Sequence, residues 1–426
     1  MMLAGLMNAL SLKSLIAIVF GVILGIIFGA IPGLSANMAV TLCLPLSFGL
    51  DPSTGMVLLV SLYLGGISGG LVSATLLNIP GTPASIATCF DGHPMASKGE
   101  AGKALGVGIL ASFVGGLFSI IVLIFLAPVV ARVALKFGPF EYAAIGGFSL
   151  LLIAGLMGKS IIKGLIGALL GIMLATIGSA PIDGAPRFTF GLSQMKSGFN
   201  IIAVMIGFFA ISEVISAAEE SVTKQEKITI ENVKIKGFGV SLKEILDQKW
   251  NLLRSAIIGT FIGILPGLGG STANVISYAV AKNQSKHSEK FGTGIIDGVI
   301  ASEASNNATV GGALIPALSL GIPGDVTTAI LLGALMIPGV QTGPLLFKTS
   351  GVLVYTIFGG LLIANIVMLF VMLFGIRFFS KILSIPKTIL LPVVMVLCIV
   401  GAFAINNRMF DVWSVLGFGL LGYLLN

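Results

Sequence analysis

Charge is what this chain has least of. Asp, Glu, Lys and Arg make up 10% of its 426 residues, against 56% hydrophobic, where an ordinary soluble domain carries about 25% charged residues. With a mean hydropathy of +1.08, this excludes a water-soluble enzyme or scaffold and describes a polytopic membrane protein lodged in a lipid bilayer. Histidine is almost missing: His93 and His287 stand alone, both in polar stretches. That leaves no base for a nucleophile and no His/Cys/acid metal cluster. The match of Gly66-Ile67-Ser68-Gly69 to the G-x-S-G of intramembrane serine proteases therefore carries no weight, and no catalytic residue is expected. Cysteine is scarce as well. Cys43, Cys89 and Cys398 have no ligand-like spacing, imply no disulfide framework and read as packing residues. No G-x-x-x-x-G-K-[ST] phosphate loop occurs, so the chain does not hydrolyse ATP. No basic run is long enough for nucleic acid. The 24 Lys and Arg against 17 Asp and Glu read as the positive-inside bias of membrane loops.

Glycine and long apolar runs are abundant. The 57 glycines suit close helix approach and broken helices. A spanning helix needs about 20 apolar residues. Runs begin at Leu15–Ile31, continue at Met38–Leu50, broken at Pro45, and at Met56–Ile79. Residues 1–35 loosely mimic a signal peptide with their lone Lys13. The apolar pattern resumes at once after Pro32, so a first membrane segment is the preferred reading. Asp91–Lys103 reads as a polar loop, and some 11 to 14 crossings or half-crossings are expected in all by the same length rule. Glu219–Lys249 is the one long polar segment. Its basic residues, Lys224, Lys227, Lys234, Lys236, Lys243 and Lys249, place it in the cytoplasm. The expected organisation is a first membrane half at 1–217, a linker at 218–252 with an amphipathic helix around Ser241–Leu252, and a second half at 253–426.

The second half echoes the first. Gly29-Ala30-Ile31-Pro32-Gly33-Leu34 matches Gly263-Ile264-Leu265-Pro266-Gly267-Leu268. Ser35-Ala36-Asn37 echoes Thr272-Ala273-Asn274 with three extra residues, and Asn78-Ile79-Pro80-Gly81 echoes Gly321-Ile322-Pro323-Gly324. Paired breaks in two halves are the sequence pointer to a secondary transporter's binding site. Loop charge also orients the copies. Pro45–Gly55 has no Lys or Arg, while its counterpart holds Lys282, Lys286 and Lys290. After the second break the bias reverses, with Lys98 and Lys103 against Lys348 alone. The positive-inside rule then makes the copies an inverted repeat.

Helices restarting after each Pro-Gly present free N–H groups that suit a carboxylate. Ser35, Thr82, Ser271 and Thr327 add hydroxyl donors. Within Ser302–Asp325, Ser302, Ser305, Asn306 and Thr309 share one helical face, and breaks are expected at Pro316 and at Gly321–Gly324. The candidate substrate residues are Ser35 and Asn37; Asn78, Gly81, Thr82 and Ser85; Ser271, Thr272 and Asn274; Ser305, Asn306 and Thr309; and Gly324, Thr327 and Thr328. Exposed carbonyls at Pro32, Gly33, Pro266 and Gly267, with Glu303 and Asn307, are candidate sodium ligands. Glu303 is a functional candidate by default, since a buried charge costs at least about 2.5–3.5 kcal/mol. It reads as a cation ligand or proton carrier, or else as the partner of a nearby Asn or Lys. Asp297 reads as a helix cap, and Glu213 as a residue near the cytoplasmic surface. A channel without active coupling and a membrane scaffold are the other readings.

The blocks GAIPGLSAN, LYLGGISGG, NIPGTPASIAT, FDGHPMASKGEAGKAL, GILPGLGGSTANVISYAVAK and EASNNATVGGALIPALSLGIPGD together resemble the large membrane subunit, TctA, of tripartite tricarboxylate transporters, over about residues 15–420. The resemblance implies a bacterial inner-membrane permease that imports tricarboxylates or related carboxylates such as citrate by sodium symport. It implies an all-α fold with two inverted repeats, broken or re-entrant helices and an elevator-like movement. Two partners are also implied, a small four-helix membrane subunit and a periplasmic solute-binding protein, with a homodimer as a candidate assembly. No cofactor beyond the coupling sodium ion is expected.

Overall fold

The computed structural model describes residues 1–156, 161–180, 184–223, 239–382 and 387–425. The chain is helical almost throughout. In order, the helices are α1 (Met2–Ala9), α2 (Leu12–Ala30), α3 (Ala36–Ser47), α4 (Pro52–Leu77), α5 (Ile86–Met95), α6 (Ala101–Ala134), α7 (Pro139–Leu156), α8 (Ile161–Ala175), α9 (Ile201–Met205) and α10 (Ser212–Thr223). They continue with α11 (Leu242–Asp247), α12 (Lys249–Ile264), α13 (Gly269–Gln284), α14 (Ile296–Leu320), α15 (Val326–Met336), α16 (Leu346–Thr349), α17 (Gly351–Ile382), α18 (Lys387–Asn406) and α19 (Met409–Leu425). Among the described residues, five helical stretches are long and apolar enough to cross a bilayer, and five shorter apolar helices accompany them. The protein is thus an all-α, multi-pass membrane protein.

Two compact units result. One comprises Met1–Leu135 and Lys224–Pro386, the other Lys136–Thr223 and Lys387–Asn426. In the second, α19 lies on the stretch that joins α9 to α10. Gly207 lets it approach: a Cβ there would come within 2.7 Å of the Val415 carbonyl. Phe199 stacks on Phe410 and meets Phe418 edge-on. The buried Asp411 is held by Arg408 at 3.1 Å and Asn406 at 2.9 Å.

The first unit holds every candidate site residue, and glycine dictates its packing. Gly21, Gly25 and Gly29 form one stripe on α2, set against the backbone of α4; a side chain at Gly25 or Gly29 would collide with the carbonyls of Leu62 and Gly66. In α12, Gly259 and Gly263 stand in the same relation to Ser305 and Thr309 of α14. The reverse contacts match too: Gly69 of α4 meets the Ile26 carbonyl, and Gly312 of α14 meets that of Thr260. The two copies therefore repeat their internal contacts residue by residue. They also repeat the breaks. Gly33 and Gly267 have φ of 86° and 85°, a region only glycine enters freely. Asn78 and Gly321 close α4 and α14 in the left-handed conformation.

Several expectations shift. Pro316 does not interrupt α14, and Pro45 lies within α3. Each removes one intrahelical N–H donor, but no more than the last turn of its helix follows it, so little of the helix lies beyond the missing bond. The polar stretch Asp91–Lys103 is not a loop: α5 runs on through it and meets α6 at Gly99, φ 85°. Its polar residues are accommodated because Asp91 is buried and bonded and the remainder reach the surface. Counted from the matched left-handed glycines Gly33 and Gly267, and from the contacts of Ala36 with Gly66 and of Gly270 with Thr309, Ser35 pairs with Gly269 without the three extra residues read from sequence. Residues 224–238 of the expected linker lie outside the described residues; its far end is α11, capped by Ser241 and Glu244. There Val240 and Ile245 pack on a core that includes Leu252, Val299 and Ala304.

Candidate functional site

Residues Gly298–Ser319 of α14 are all buried, so its polar face must find partners inside the protein. Glu303 sits at the centre. Thr88 Oγ1 of α5 donates to its Oε1 at 2.6 Å, and Ser112 Oγ of α6 to its Oε2 at 3.0 Å. Asn307, one turn on, reaches the Glu303 carbonyl at 3.2 Å, and Ser68 Oγ of α4 donates to Asn307 Oδ1 at 2.6 Å. Asn274 of α13 accepts the Ala87 N–H at 2.7 Å and lies 3.5 Å from the Ser302 carbonyl. Five helices thus meet in one buried network, in which Thr88, Ser112 and Asn307 touch the Glu303 carboxylate. Among the described residues no Lys, Arg or His forms an ion pair with Glu303.

The sequence-predicted residues fall into distinct settings. Glu303, Asn307 and Asn274 belong to this network. Ser305 Oγ bonds back to the Ala301 and Ser302 carbonyls and Thr309 Oγ1 to that of Asn306, so both hydroxyls are turned onto their own helix. Asn306 is fully buried, yet neither its Oδ1 nor its Nδ2 has a partner among the described residues. Thr82 Oγ1 also makes no hydrogen bond within normal geometry, facing only the Ser85 N–H of its capping box. Ser35 caps α3 by accepting from Met38 N at 3.2 Å. Asn37 accepts from Thr327 Oγ1 at 2.5 Å, a contact repeated one turn further along both helices by Asn274 and Ala87. Ser85 turns back on the Thr82 carbonyl at 2.9 Å. Thr328 and Asp325 form a capping box at the start of α15. Asn78 is exposed, Ser271 and Thr272 are half-buried, and Pro32 and Pro266 are buried while Gly267 is exposed. Gly81 and Gly324 let the second break fold against the first: a Cβ on either would strike the backbone around Gly29 or Gly263, and Gly324 O accepts from Gly267 N at 2.9 Å.

Sequence reasoning passed over Thr88, Ser112, Ser68, Tyr63, Asp325 and Asp91. Tyr63 Oη donates to Asp325 Oδ2 at 2.5 Å. Asp91, fully buried, accepts from the N–H groups of Gly292, Gly294 and Ile295 through Oδ1 and from Tyr278 Oη through Oδ2. It ties α5 to the start of α14. The available signal for Asp91 was a lone acid beside a predicted buried run; Thr88, Ser112 and Ser68 gave none, since isolated hydroxyls are common in membrane helices. Ser68 also closes the protease reading: its hydroxyl faces Asn307, while His93 sits on the Thr75 carbonyl.

Among the described residues no three His, Cys, Asp or Glu converge as a metal site. A cation here would be held by carboxylate, hydroxyl and amide oxygens, the ligand type that hard cations favour. An apolar cavity of about 160 Å³ lies instead at the far ends of α3 and α15, lined by Phe48, Met56 and Ile337 among others.

The model of the Tripartite tricarboxylate transporter TctA family matches residues 15–426. The chain belongs to the TctA family. Membership of this transporter family makes it a tricarboxylate transporter component and not an enzyme. It is 33% identical over 421 residues, 99% of the chain and 83% of the relative, to an "uncharacterized 52.8 kDa protein in TAR-I ttuC' 3'region" of Agrobacterium vitis. A second relative from that organism, an "uncharacterized protein in TAR-II ttuC' 3'region", is 36% identical over 167 residues, 39% of the chain and 69% of the relative. No solved structure matches.

Proposed function

We propose that this TctA-family chain is the permease subunit of a binding-protein-dependent secondary transporter that imports tricarboxylates or related carboxylates with sodium. One observation carries the reading: Glu303, a buried carboxylate held by hydroxyls from two neighbouring helices and by the amide of Asn307 on its own helix, without a basic partner in the described residues. In a bilayer such a group is costly unless a cation attends it. A carboxylate substrate brought near it needs the same cation to offset repulsion, which couples the two. The broken backbones at Pro32-Gly33 and Pro266-Gly267 offer carbonyl oxygens towards that ion, and the restarting helices offer N–H groups towards the anion. A small membrane subunit and a periplasmic solute-binding protein complete the assembly, in the inner membrane of a bacterium. The two copies, inverted, would carry the site across in an elevator-like step.

The test is uptake into proteoliposomes holding this chain and the small membrane subunit, with the solute-binding protein supplied loaded with succinate, citrate or tricarballylate. Sodium-dependent accumulation above the outside concentration is expected. Movement only down the gradient, indifferent to sodium, would favour a channel.

A further inference from the structure

The repeat allows the two copies to be compared at one point. In the second copy the helix after the break, α15, opens on Asp325, whose carboxylate takes the Thr328 N–H at 2.8 Å and the Tyr63 hydroxyl at 2.5 Å. The contact-matched positions in the first copy, following the pairs Gly69–Gly312 and Gly81–Gly324, are Thr82 for Asp325, Ser85 for Thr328, and, exchanging copies, Asn306 for Tyr63. The carboxylate is replaced by a hydroxyl and the phenol by a carboxamide. Both replacements are buried, at 3% and 0% exposure; Asn306 lacks a partner among the described residues at both ends of its amide, and Thr82 Oγ1 faces only the Ser85 N–H of its own capping box, beyond hydrogen-bond geometry.

Two further differences fall at the same place. Ser35 caps α3, but its counterpart Gly269 has no side chain, and the cap position of α13 makes no side-chain hydrogen bond. The N–H groups of Gly269, Gly270 and Ser271 meet no acceptor among the described residues. Ala36 is matched by Gly270. A Cβ there would lie 2.8 Å from Asn306 Oδ1 and 2.9 Å from Ala84 Cβ, so the glycine brings the first turn of α13 directly against Asn306 and the turn after Thr82. A buried donor left without an acceptor is costly, and here several such groups share one spot.

We infer that a carboxylate group of the substrate binds there, between Asn306, Thr82 and the uncapped first turn of α13, in the role that the Asp325 carboxylate fills in the other copy. Asn306 Nδ2 and Thr82 Oγ1 donate to it, and the α13 N–H groups complete the cradle. The other restarting helices hold their own caps: Ser35, the Ser85 turn and Asp325. Four candidate ends thereby reduce to one. The inference rests on the carboxylate-transport reading above.

The decisive variant is Thr82→Asp, which gives the first copy the built-in carboxylate of the second. Asp is a good helix cap, so the variant should insert and melt no lower than the wild type. Purified wild-type protein is titrated with succinate, citrate and tricarballylate by calorimetry. For whichever probe binds, Thr82→Asp should weaken binding at least a hundredfold and Asn306→Ala at least tenfold. Asp51→Asn, a cap change at the start of α4, should alter it less than threefold. Wild-type affinity in both Thr82→Asp and Asn306→Ala overturns the inference and leaves the transporter reading standing. If Thr82→Asp fails to insert, Asn306→Ala and Gly270→Ala decide in the same way. If none of the three probes binds wild-type protein, the carboxylate reading itself falls, and this inference with it.

Discussion

At the scale of single residues, Glu303 separates a coupling role from a structural one. Glu303→Gln keeps the size and both polar ends of the side chain. Thr88 and Ser112 can rotate their hydroxyls to accept from the new amide, so the protein should insert with a melting temperature close to wild type. Without the negative charge there is nothing to draw a cation, and sodium-driven accumulation in proteoliposomes should fall at least a hundredfold. Unchanged accumulation would reduce Glu303 to a packing element. Glu303→Leu differs: it leaves Thr88 and Ser112 unsatisfied, at about 1–3 kcal/mol for each buried group, and should lower the melting temperature as well as uptake. Glu303, Asn306 and Asn274 were legible in the sequence because polar residues stand out in an apolar run. Their partners Thr88, Ser112 and Ser68 were not, since which hydroxyl meets which acid is set by helix packing that no spacing along the chain encodes. Asn78, expected beside Pro80-Gly81 as a substrate residue, is exposed and closes α4 at φ 56°, a conformation that Asn tolerates.

At the scale of elements, the glycine stripe on α2 holds the helix against α4 with backbones in contact. Close packing of this kind is the main source of helix association in a bilayer. Gly25→Val should force the pair apart and destabilise by about 1–3 kcal/mol or more, read as a lower melting temperature in detergent. Gly259→Val should do the same for α12 and α14 and, because α14 carries Glu303 and Asn306, should reduce substrate binding further than Gly25→Val does. Equal effects on binding would deny α14 its special place. The break positions were readable from Pro-Gly pairs. The persistence of α14 through Pro316 and of helix through Asp91–Met95 was not, because burial and the Asp91 bonds override local preference. The end of the linker gives a milder test. Lys103 donates to Glu244 at 2.5 Å and, with the Ser241 N–H and hydroxyl, holds that carboxyl down to about 2. A lowered carboxyl stabilises fully above its ordinary value near 4.5 and loses that contribution as the pH falls towards 2. Both side chains are about a third exposed, so Lys103→Met should cost at most about 1 kcal/mol. Hydrogen exchange of α11 should quicken at pH 7 and be no different from wild type near pH 2.

At the scale of the whole molecule, the contacts between the two copies are reciprocal. The first copy's α3 meets the second copy's α15 through Asn37 and Thr327, and the second copy's α13 meets the first copy's α5 through Asn274 and Ala87. Such exchange, in which one patch meets another and its counterpart returns the contact, is what a two-fold relation produces. A two-fold axis has two possible settings in a bilayer. Along the membrane normal it would leave equivalent loops on one side; within the membrane plane it would send them to opposite sides. Loop charge chooses between these. The turn after α3 carries no Lys or Arg, while the last turn of α13 and the segment after it carry Lys282, Lys286 and Lys290, and basic loops stay in the cytoplasm. Loop charge thus predicts an axis in the membrane plane. Single cysteines placed at Ser53 and Ser285, in a background where Cys43, Cys89 and Cys398 are Ala, should label with an impermeant maleimide from opposite faces of oriented vesicles: Ser285 from the cytoplasmic side, Ser53 from the other. Labelling of both from one face would put the axis along the normal, and a site built from one copy could not then be presented to each side in turn by exchanging the roles of the two.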